Sequence, residues 1–230
     1  MVLKLGIPSK GRMMSQTFRW FMNRGIYMRR LGDERTYSAH IDGIDEVSLV
    51  MLSAGEIPRE LAAGRLHFGV TGTDLVYEKL PCRESHVESV IELGFGRASL
   101  VLAVPDFWID VDTLDDLDDV AADFRARSGM RLRIATGYPL LVREFLNKAG
   151  VADYALVDSQ GATEGTIKNE VAEAIADITS TGETLRANSL RILSDGLILD
   201  SQATLWRSCV AHFDRGETTV ASDFLSRLKI

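Results

Sequence analysis

Short apolar runs alternate with amphipathic segments along the whole chain. The runs LKLGIP (3–8), VSLVMLS (47–53), HFGVTG (67–72), ASLVLAVP (98–105), LRIATG (132–137), YALVDS (154–159) and AEAIADITS (172–180) predict strands. RILSDG and GLILDSQATLW predict a bent return strand or a hairpin. Between them the spacing turns helical. Met14, Phe18, Phe21 and Met22 share one face, which Gly25 closes. Leu114, Leu117, Val120, Ala121 and Phe124 share another, and Pro58 and Pro139 fall where a first helical turn tolerates a missing N–H. This alternation predicts an α/β fold with largely parallel strands. It breaks once, where VESVIELGF and ASLVLAVP adjoin with no helix between them. Two strands in a row are how a chain crosses between lobes. The expectation is therefore two α/β lobes with a cleft between them. Residues 1–95 with about 190–230 form lobe I, and about 96–189 form lobe II.

Composition narrows the class. The 230 residues are 46% hydrophobic and 26% charged, as in an ordinary globular protein. No uncharged apolar stretch is long enough to span a membrane, and MVLKLGIPSKGR holds no apolar signal core, so a cytoplasmic location is expected. The formal net charge of −7 is local: Asp106 to Asp123 contains eight Asp and no Lys or Arg. That segment predicts a helix with a solvated acidic face, and no broad basic surface for nucleic acid exists. Cys82 and Cys209 lie far apart in sequence without metal-ligand spacing and are expected as reduced thiols. The four His (His40, His67, His86, His212) form no HxxxH or HExxH pair, and no GxSxG elbow occurs, which argues against zinc chemistry and serine hydrolysis.

Several predicted strands end in Gly, Ser or Thr and then enter a helix. Such loops let backbone N–H groups approach an anion, usually phosphate, and ligands of open α/β sheets bind at these carboxyl ends. In AEAIADITSTGETLRANSL, Asp177 is followed by Thr179, Ser180, Thr181 and Gly182 before the helix starts near Glu183. Three hydroxyls and a glycine match one phosphate, with Asp177 placed for a ribose hydroxyl or a cation; a plain capped helix is the other reading. Lys10 and Arg12 flank Gly11 after the first strand, either suited to a polyphosphate or simply exposed. Val70-Thr71-Gly72-Thr73-Asp74 and Ala135-Thr136-Gly137-Tyr138-Pro139 follow the same logic. Gly94-Phe95-Gly96 lacks a third glycine and runs into a strand, so it is no dinucleotide fingerprint.

Taken together, IPSKGR (7–12), DERTYSA (33–39), LSAGEIPRELAAG (52–64), FGVTGTDLVYE (68–78), LGFGRASLVLAVP (93–105), RIATGYP (133–139), GATEG (161–165) and ADITSTGETLRANSL (176–190) resemble the ATP phosphoribosyltransferase family nearly end to end. The resemblance implies a two-lobed fold like type II periplasmic binding proteins. It implies ATP and phosphoribosyl pyrophosphate as substrates with Mg²⁺, adenine N1 displacing pyrophosphate in the first step of histidine biosynthesis. Lys10, Arg12 and Arg35 match the family's basic positions and are the expected catalytic cations. Thr179, Ser180, Thr181, Gly182 and Thr184 would hold the 5′-phosphate. Asp177 and Glu164 would lie near ribose and metal, and Thr71, Gly72 and Asp74 would complete the substrate contacts.

The chain departs from the family pattern at Ser53 and Glu56, where many members carry Arg and Asp; Arg59 and Arg97 are possible substitutes. Its length resembles the family's short form. That form implies a homo-oligomer working with a regulatory subunit similar to histidyl-tRNA synthetase, and no nucleic-acid or membrane partner. Val220, Phe224 and Leu228 predict a terminal helix, turned either toward a partner or into its own lobe. A non-catalytic small-anion binder and a phosphoribosyltransferase acting on a free base stay open as alternatives.

Overall fold

The computed structural model describes residues 2–31, 38–159, 161 and 163–229. The chain divides into two compact units, Met1–Gly96 with Gln202–Ile230, and Arg97–Ser201. In chain order the first unit holds β1 (Leu3–Pro8), α1 (Gly11–Met22), β2 (Met28–Leu31), β3 (Ser38–Ile41), β4 (Val47–Leu52), α2 (Ile57–Ala62), β5 (Phe68–Gly72), α3 (Thr73–Lys79) and β6 (Val87–Glu92). The second holds β7 (Ala98–Pro105), α4 (Leu114–Ser128), β8 (Leu132–Thr136), α5 (Pro139–Ala149), β9 (Tyr154–Asp158), α6 (Gly165–Lys168), β10 (Ala174–Thr179), α7 (Glu183–Ala187) and β11 (Leu190–Ser201). The chain then returns to the first unit as β12 (Ala203–Ser208) and α8 (Arg215–Arg227).

The first unit is built on a seven-stranded sheet of order β2-β3-β4-β1-β5-β12-β6. Its centre is parallel, β1 pairing with β4 and with β5. β5 is buried along its whole length, whereas β1 exposes Lys4 and β4 alternates buried and less buried positions, so central β5 is the strand covered on both faces. Helix α2 lies close on one face. A Cβ on Gly69 would meet Ile57 Cγ2 of that helix at 2.6 Å, and one on Gly6 would meet Leu66 Cδ1, in the loop that follows the helix, at 2.5 Å. Terminal helix α8 turns its apolar stripe inward: Phe224 packs on Phe21 and Phe68 with ring centroids 6.1 Å apart in each pair, and Leu228 is buried. Its face is therefore occupied by its own unit, which resolves the two readings of that helix.

The second unit is a five-stranded sheet of order β11-β7-β10-β8-β9. β8 runs parallel to β9 and β10, and β7 runs antiparallel to β10 and β11. Leu117, Leu132, Ile134, Val142 and Leu146 form the core under α4 and α5. Val101, Ala103, Ala135, Ile175 and Leu185 form the core on the other face. Helix α4 forms where the acidic segment was expected to be helical. A Thr113–Asp116 capping box opens it and Gly129, left-handed at φ 71°, closes it. Leu114, Leu117 and Ala121 are buried while Asp115 and Asp119 face solvent.

Two expectations need correction. The strands are not largely parallel, because each parallel centre is extended by antiparallel neighbours. Strands β2 and β3 carry no apolar run (MRRL, SAHI) and pair at the sheet's edge, so periodicity misses them. The chain also leaves the second unit at Ser201 rather than near residue 190, because all of β11 pairs along β7. β11 is one bent strand with register shifts between Ile192 and Leu199. Gly196 sits in the bend, where a Cβ would lie 2.9 Å from Leu102 O. Among the described residues no helix is long and apolar enough to cross a membrane.

Truncating Phe224 to Ala should destabilise the protein by about 3–5 kcal/mol, the usual cost of emptying a buried aromatic site. Urea denaturation followed by tryptophan fluorescence measures this. A loss below about 1 kcal/mol would show that α8 docks without contributing to the core.

Candidate active site

In the first unit the carboxyl ends of β1, β4 and β5 are neighbours, so their loops meet. The Ser9 N–H donates to Leu52 O (2.7 Å) and the Thr71 hydroxyl donates to Ala54 O (2.7 Å), tying the three loops together. Gly11 has φ +70°, a conformation that favours glycine, and starts α1 without a side-chain cap from Lys10. No acid lies in the first turn of α1. Lys10 and Arg12 are both exposed, and among the described residues neither is held in an ion pair. Gly72 is extended at φ −70° and precedes a buried Asp74.

At the departure from the family pattern, the turn closes on itself. The Ser53 N–H and hydroxyl both donate to Glu56 Oε2, at 2.9 and 2.6 Å. Those two bonds hold the Glu56 carboxyl below its ordinary range, the Ser53 hydroxyl contributing most and Lys10 adding a smaller pull. The acid is thus satisfied locally rather than turned loose on an incoming anion. Arg59 on α2 and Arg97 at the start of the second unit are exposed.

In the second unit the carboxyl ends of β8, β9 and β10 are adjacent. The Thr136 hydroxyl accepts from the Tyr138 N–H (3.0 Å), and Ser159 Oγ donates to Thr163 Oγ1 (3.2 Å). Thr163 is buried, and its hydroxyl also reaches the Asp177 carboxylate. Asp177 accepts from the Ile178 N–H at 2.7 Å. Burial nonetheless pushes the Asp177 carboxyl up, and the nearby Glu164 charge adds to the rise against the lowering pull of those two donors. A half-buried carboxylate in that state gains from any cation or hydroxyl brought to it.

The loop after β10 wraps on its own hydroxyls. Thr179 Oγ1 accepts from the Gly182 N–H (2.9 Å), and Thr181 Oγ1 accepts from the Glu183 N–H (3.4 Å). Gly182 is left-handed at φ +71°. Ser180, Thr181 and Thr184 are exposed, as is Glu183 beside them. Sequence reasoning passed over Arg186. Its Nη2 donates to Thr181 O (2.9 Å) and its Nη1 lies 3.1 Å from where a Gly182 Cβ would stand. One guanidinium therefore lies against the loop, and its position three residues after Glu183 on the helix was the available signal. Thr163, inside GATEG, was passed over in the same way.

The structure thus groups Lys10, Arg12, Thr71, Gly72 and Asp74 at one set of strand ends. It groups Glu164, Asp177, Thr179, Ser180, Thr181, Gly182 and Thr184 at another. Arg35 lies outside the described residues. Among the described residues no three His, Cys, Asp or Glu side chains converge to hold a metal ion. Asp177 with Glu164 fits a cation only as a partial set, completed by oxygens of a bound substrate.

Two mixed α/β units, each with hydroxyl- and glycine-rich loops at the carboxyl ends of parallel strands, define a protein of the type II periplasmic-binding-protein fold. Solved structures agree on the fold. The ATP phosphoribosyl transferase (HisG:HisZ) complex from Thermotoga maritima matches with TM-score 0.72 at 23% identity, covering 99% of this chain and 97% of that one. The BvgS VFT2 domain of Bordetella pertussis matches with TM-score 0.55 at 14% identity, covering 99% and 87%. The family description of ATP phosphoribosyltransferase matches residues 53–229. The ATP phosphoribosyltransferase of Cereibacter sphaeroides is 67% identical over 208 residues, spanning 90% of this chain and 88% of its own. That of Mesorhizobium japonicum is 48% identical over 220 residues, 95% of each. The chain belongs to the ATP phosphoribosyltransferase family. Its reaction joins the phosphoribosyl group of phosphoribosyl pyrophosphate to N1 of ATP and releases pyrophosphate, the first step of histidine biosynthesis.

Replacing Gly182 by Val puts a branched side chain at φ +71° and against Arg186. Phosphoribosyl pyrophosphate binding, followed by calorimetry in Mg²⁺, should weaken at least roughly tenfold in a variant that still folds. Unchanged affinity would remove this loop from the binding site.

Proposed function

We propose that the loop after β10 receives the phosphoribosyl end of phosphoribosyl pyrophosphate. Backbone N–H groups of the loop and the hydroxyls of Thr179, Ser180, Thr181 and Thr184 surround the 5′-phosphate, while Asp177 and Glu164 take the ribose hydroxyls. The single observation that supports this most is the convergence, at the ends of β8 to β10, of buried Thr163, a carboxyl destabilised by burial and a glycine-containing hydroxyl loop. Arg186 adds a positive charge to that loop. Asp177, with Glu164 nearby, would hold a Mg²⁺ together with oxygens of the bound substrate, and the ion would supply charge neutralisation for the departing pyrophosphate.

Lys10 and Arg12, exposed and outside any ion pair among the described residues, serve the polyphosphate charge of the substrates, as does Arg35 by its place in the family motif. Thr71, Gly72 and Asp74 complete the substrate contacts by shaping the loop: all three are buried, and the Thr71 hydroxyl gives its proton to Ala54 O, so they position the loop backbone around a substrate.

The chemistry asks little of a base. Adenine N1 has a free lone pair, which forms the bond to the anomeric carbon as the bond to the pyrophosphate oxygen breaks. The electron pair of that bond leaves with pyrophosphate. What the protein supplies is alignment of two polyanions and donors for charge that grows on the leaving group. These metabolites are those of the cytoplasm, where the enzyme is placed on this reading. Titration with phosphoribosyl pyrophosphate and Mg²⁺, then ATP, with chromatographic detection of phosphoribosyl-ATP, tests the assignment; binding without product would refute it.

Arg35→Ala should lower kcat more than it raises KM, by roughly 100-fold or more, if the guanidinium stabilises charge made only in the transition state. Steady-state kinetics decide this. A rate within about threefold of the parent would make Arg35 a structural cation.

Control follows the short form that the sequence resembles, with a homo-oligomer of this chain joined by a histidyl-tRNA-synthetase-like regulatory subunit. Allostery needs a second site coupled to the first. This protein assayed alone should respond to histidine only by weak competition, and become inhibitable once the regulatory subunit is added. A histidine titration at saturating substrates reads the difference. Potent inhibition of the chain alone, not relieved by substrate, would overturn the short-form reading.

A further inference from the structure

The second unit carries an apolar groove that the reaction does not use. It measures about 560 Å³ and runs between the turn after β7 and the outer side of α4, lined by Phe107, Trp108, Ile109, Val120 and Phe124. Phe107 is 74% exposed and Ile109 81%, so two large apolar side chains stand in water beside a half-buried Trp108. The turn that presents them is braced. The Trp108 N–H donates to Pro105 O (3.0 Å), and the Val111 N–H donates to Trp108 O (3.1 Å). Arg191 of β11 donates to Trp108 O (2.7 Å) and to Val111 O, and pairs with Asp112 (3.1 Å). A turn already held this way loses little freedom when something docks on it.

The groove lies away from the substrate loops. β10 runs antiparallel to β7, with Thr179 opposite Ser99 and Ile175 opposite Ala103. The loop after Thr179 therefore leaves one end of the sheet, and the turn after Pro105 leaves the other.

Charge selects the occupant. Asp110, Asp123 and Arg127 line the groove, the last two paired with each other, and Asp115 and Asp119 stand exposed on α4, so acid is in excess at its rim. Asp123 is paired with Arg127, but Asp106, Asp110, Asp115 and Asp119 have no side-chain partner among the described residues. Two copies meeting through this same face would set these acids against one another. An anionic membrane or a nucleic acid would be repelled likewise. We propose that this groove docks a different protein subunit, one that presents apolar side chains ringed by Lys and Arg. The proposal rests on the regulatory-subunit reading above and assigns that subunit's contact to this face.

The test mixes the full-length chain with the histidyl-tRNA-synthetase-like subunit from the same genome. Calorimetry and light scattering after size exclusion measure the complex. Phe107→Ser with Ile109→Ser should weaken the complex roughly 10–100-fold, as expected for exposed anchors that become buried. The rate of the chain alone should stay within about twofold of the parent. Asp115→Asn with Asp119→Asn should slow association and flatten its dependence on salt. It also carries the test if the first variant fails to fold. Both variants binding like the parent would overturn this face while leaving the partner reading intact. A parent chain that forms no complex overturns both. Loss of self-association with the mixed complex preserved would hand the groove to a second copy and refute the proposal.

Discussion

In the first unit β1 pairs in parallel with β4 and β5, and in the second β8 pairs in parallel with β9 and β10, so between these strands the chain must cross back over a sheet face. Each crossing carries a helix, and each leaves its strand at the same end of the sheet. Loops that are distant in sequence are thereby brought side by side: Ser9–Arg12, Ser53–Glu56 and Gly72–Asp74 in one unit, Thr136–Pro139, Ser159–Gly165 and Thr179–Thr184 in the other. Gly69 belongs to the same constraint, since α2 can lie this close to β5 only where the strand lacks a Cβ, and Gly6 makes room in the same way for Leu66 in the loop after that helix.

The chemistry of the reaction fits loops of this kind. A nucleophile that brings its own lone pair leaves the protein to bind phosphates and neutralise a leaving group. Hydroxyls, backbone N–H groups and Arg or Lys do that without a tuned base. The described carboxyl pushed upward by burial is Asp177, and it sits where a ribose hydroxyl or a cation would relieve it. Glu56 shows the opposite arrangement. Its charge is already met by two donors from Ser53, so the turn from Ser53 to Glu56 keeps its shape without an unsatisfied acid.

The acidic stretch from Asp106 to Asp123 combines two roles. Asp116 completes the capping box of α4, Asp112 pairs with Arg191 at 3.1 Å, and Asp118 accepts from the Ala152 N–H at 2.9 Å. These acids are part of the unit's own structure, and early Asp residues also suit the positive end of the helix. The acids that have no side-chain partner among the described residues frame the exposed apolar turn. Stability of the unit accounts for the first set and not for the second.

The amino-acid sequence by itself determined the elements whose burial is one-sided or complete. β1 and β7 match their apolar runs end to end, α4 follows its apolar stripe, and the hydroxyl-glycine segment after β10 is legible as a turn into a helix, with phosphate binding and plain capping both open from sequence. Local pattern could not reach the rest, for a definite reason. β2 and β3 are held by sheet pairing rather than by an apolar run, and the bend of β11 depends on which strand lies beside it. Whether α8 turns toward a partner or into its own core was undetermined by its stripe alone, until Phe21 and Phe68 stood opposite Phe224. Arg186 looked like an ordinary helix residue until the turn of α7 laid it on Thr181. Periodicity reports how much of an element is covered; only the tertiary structure decides what covers it.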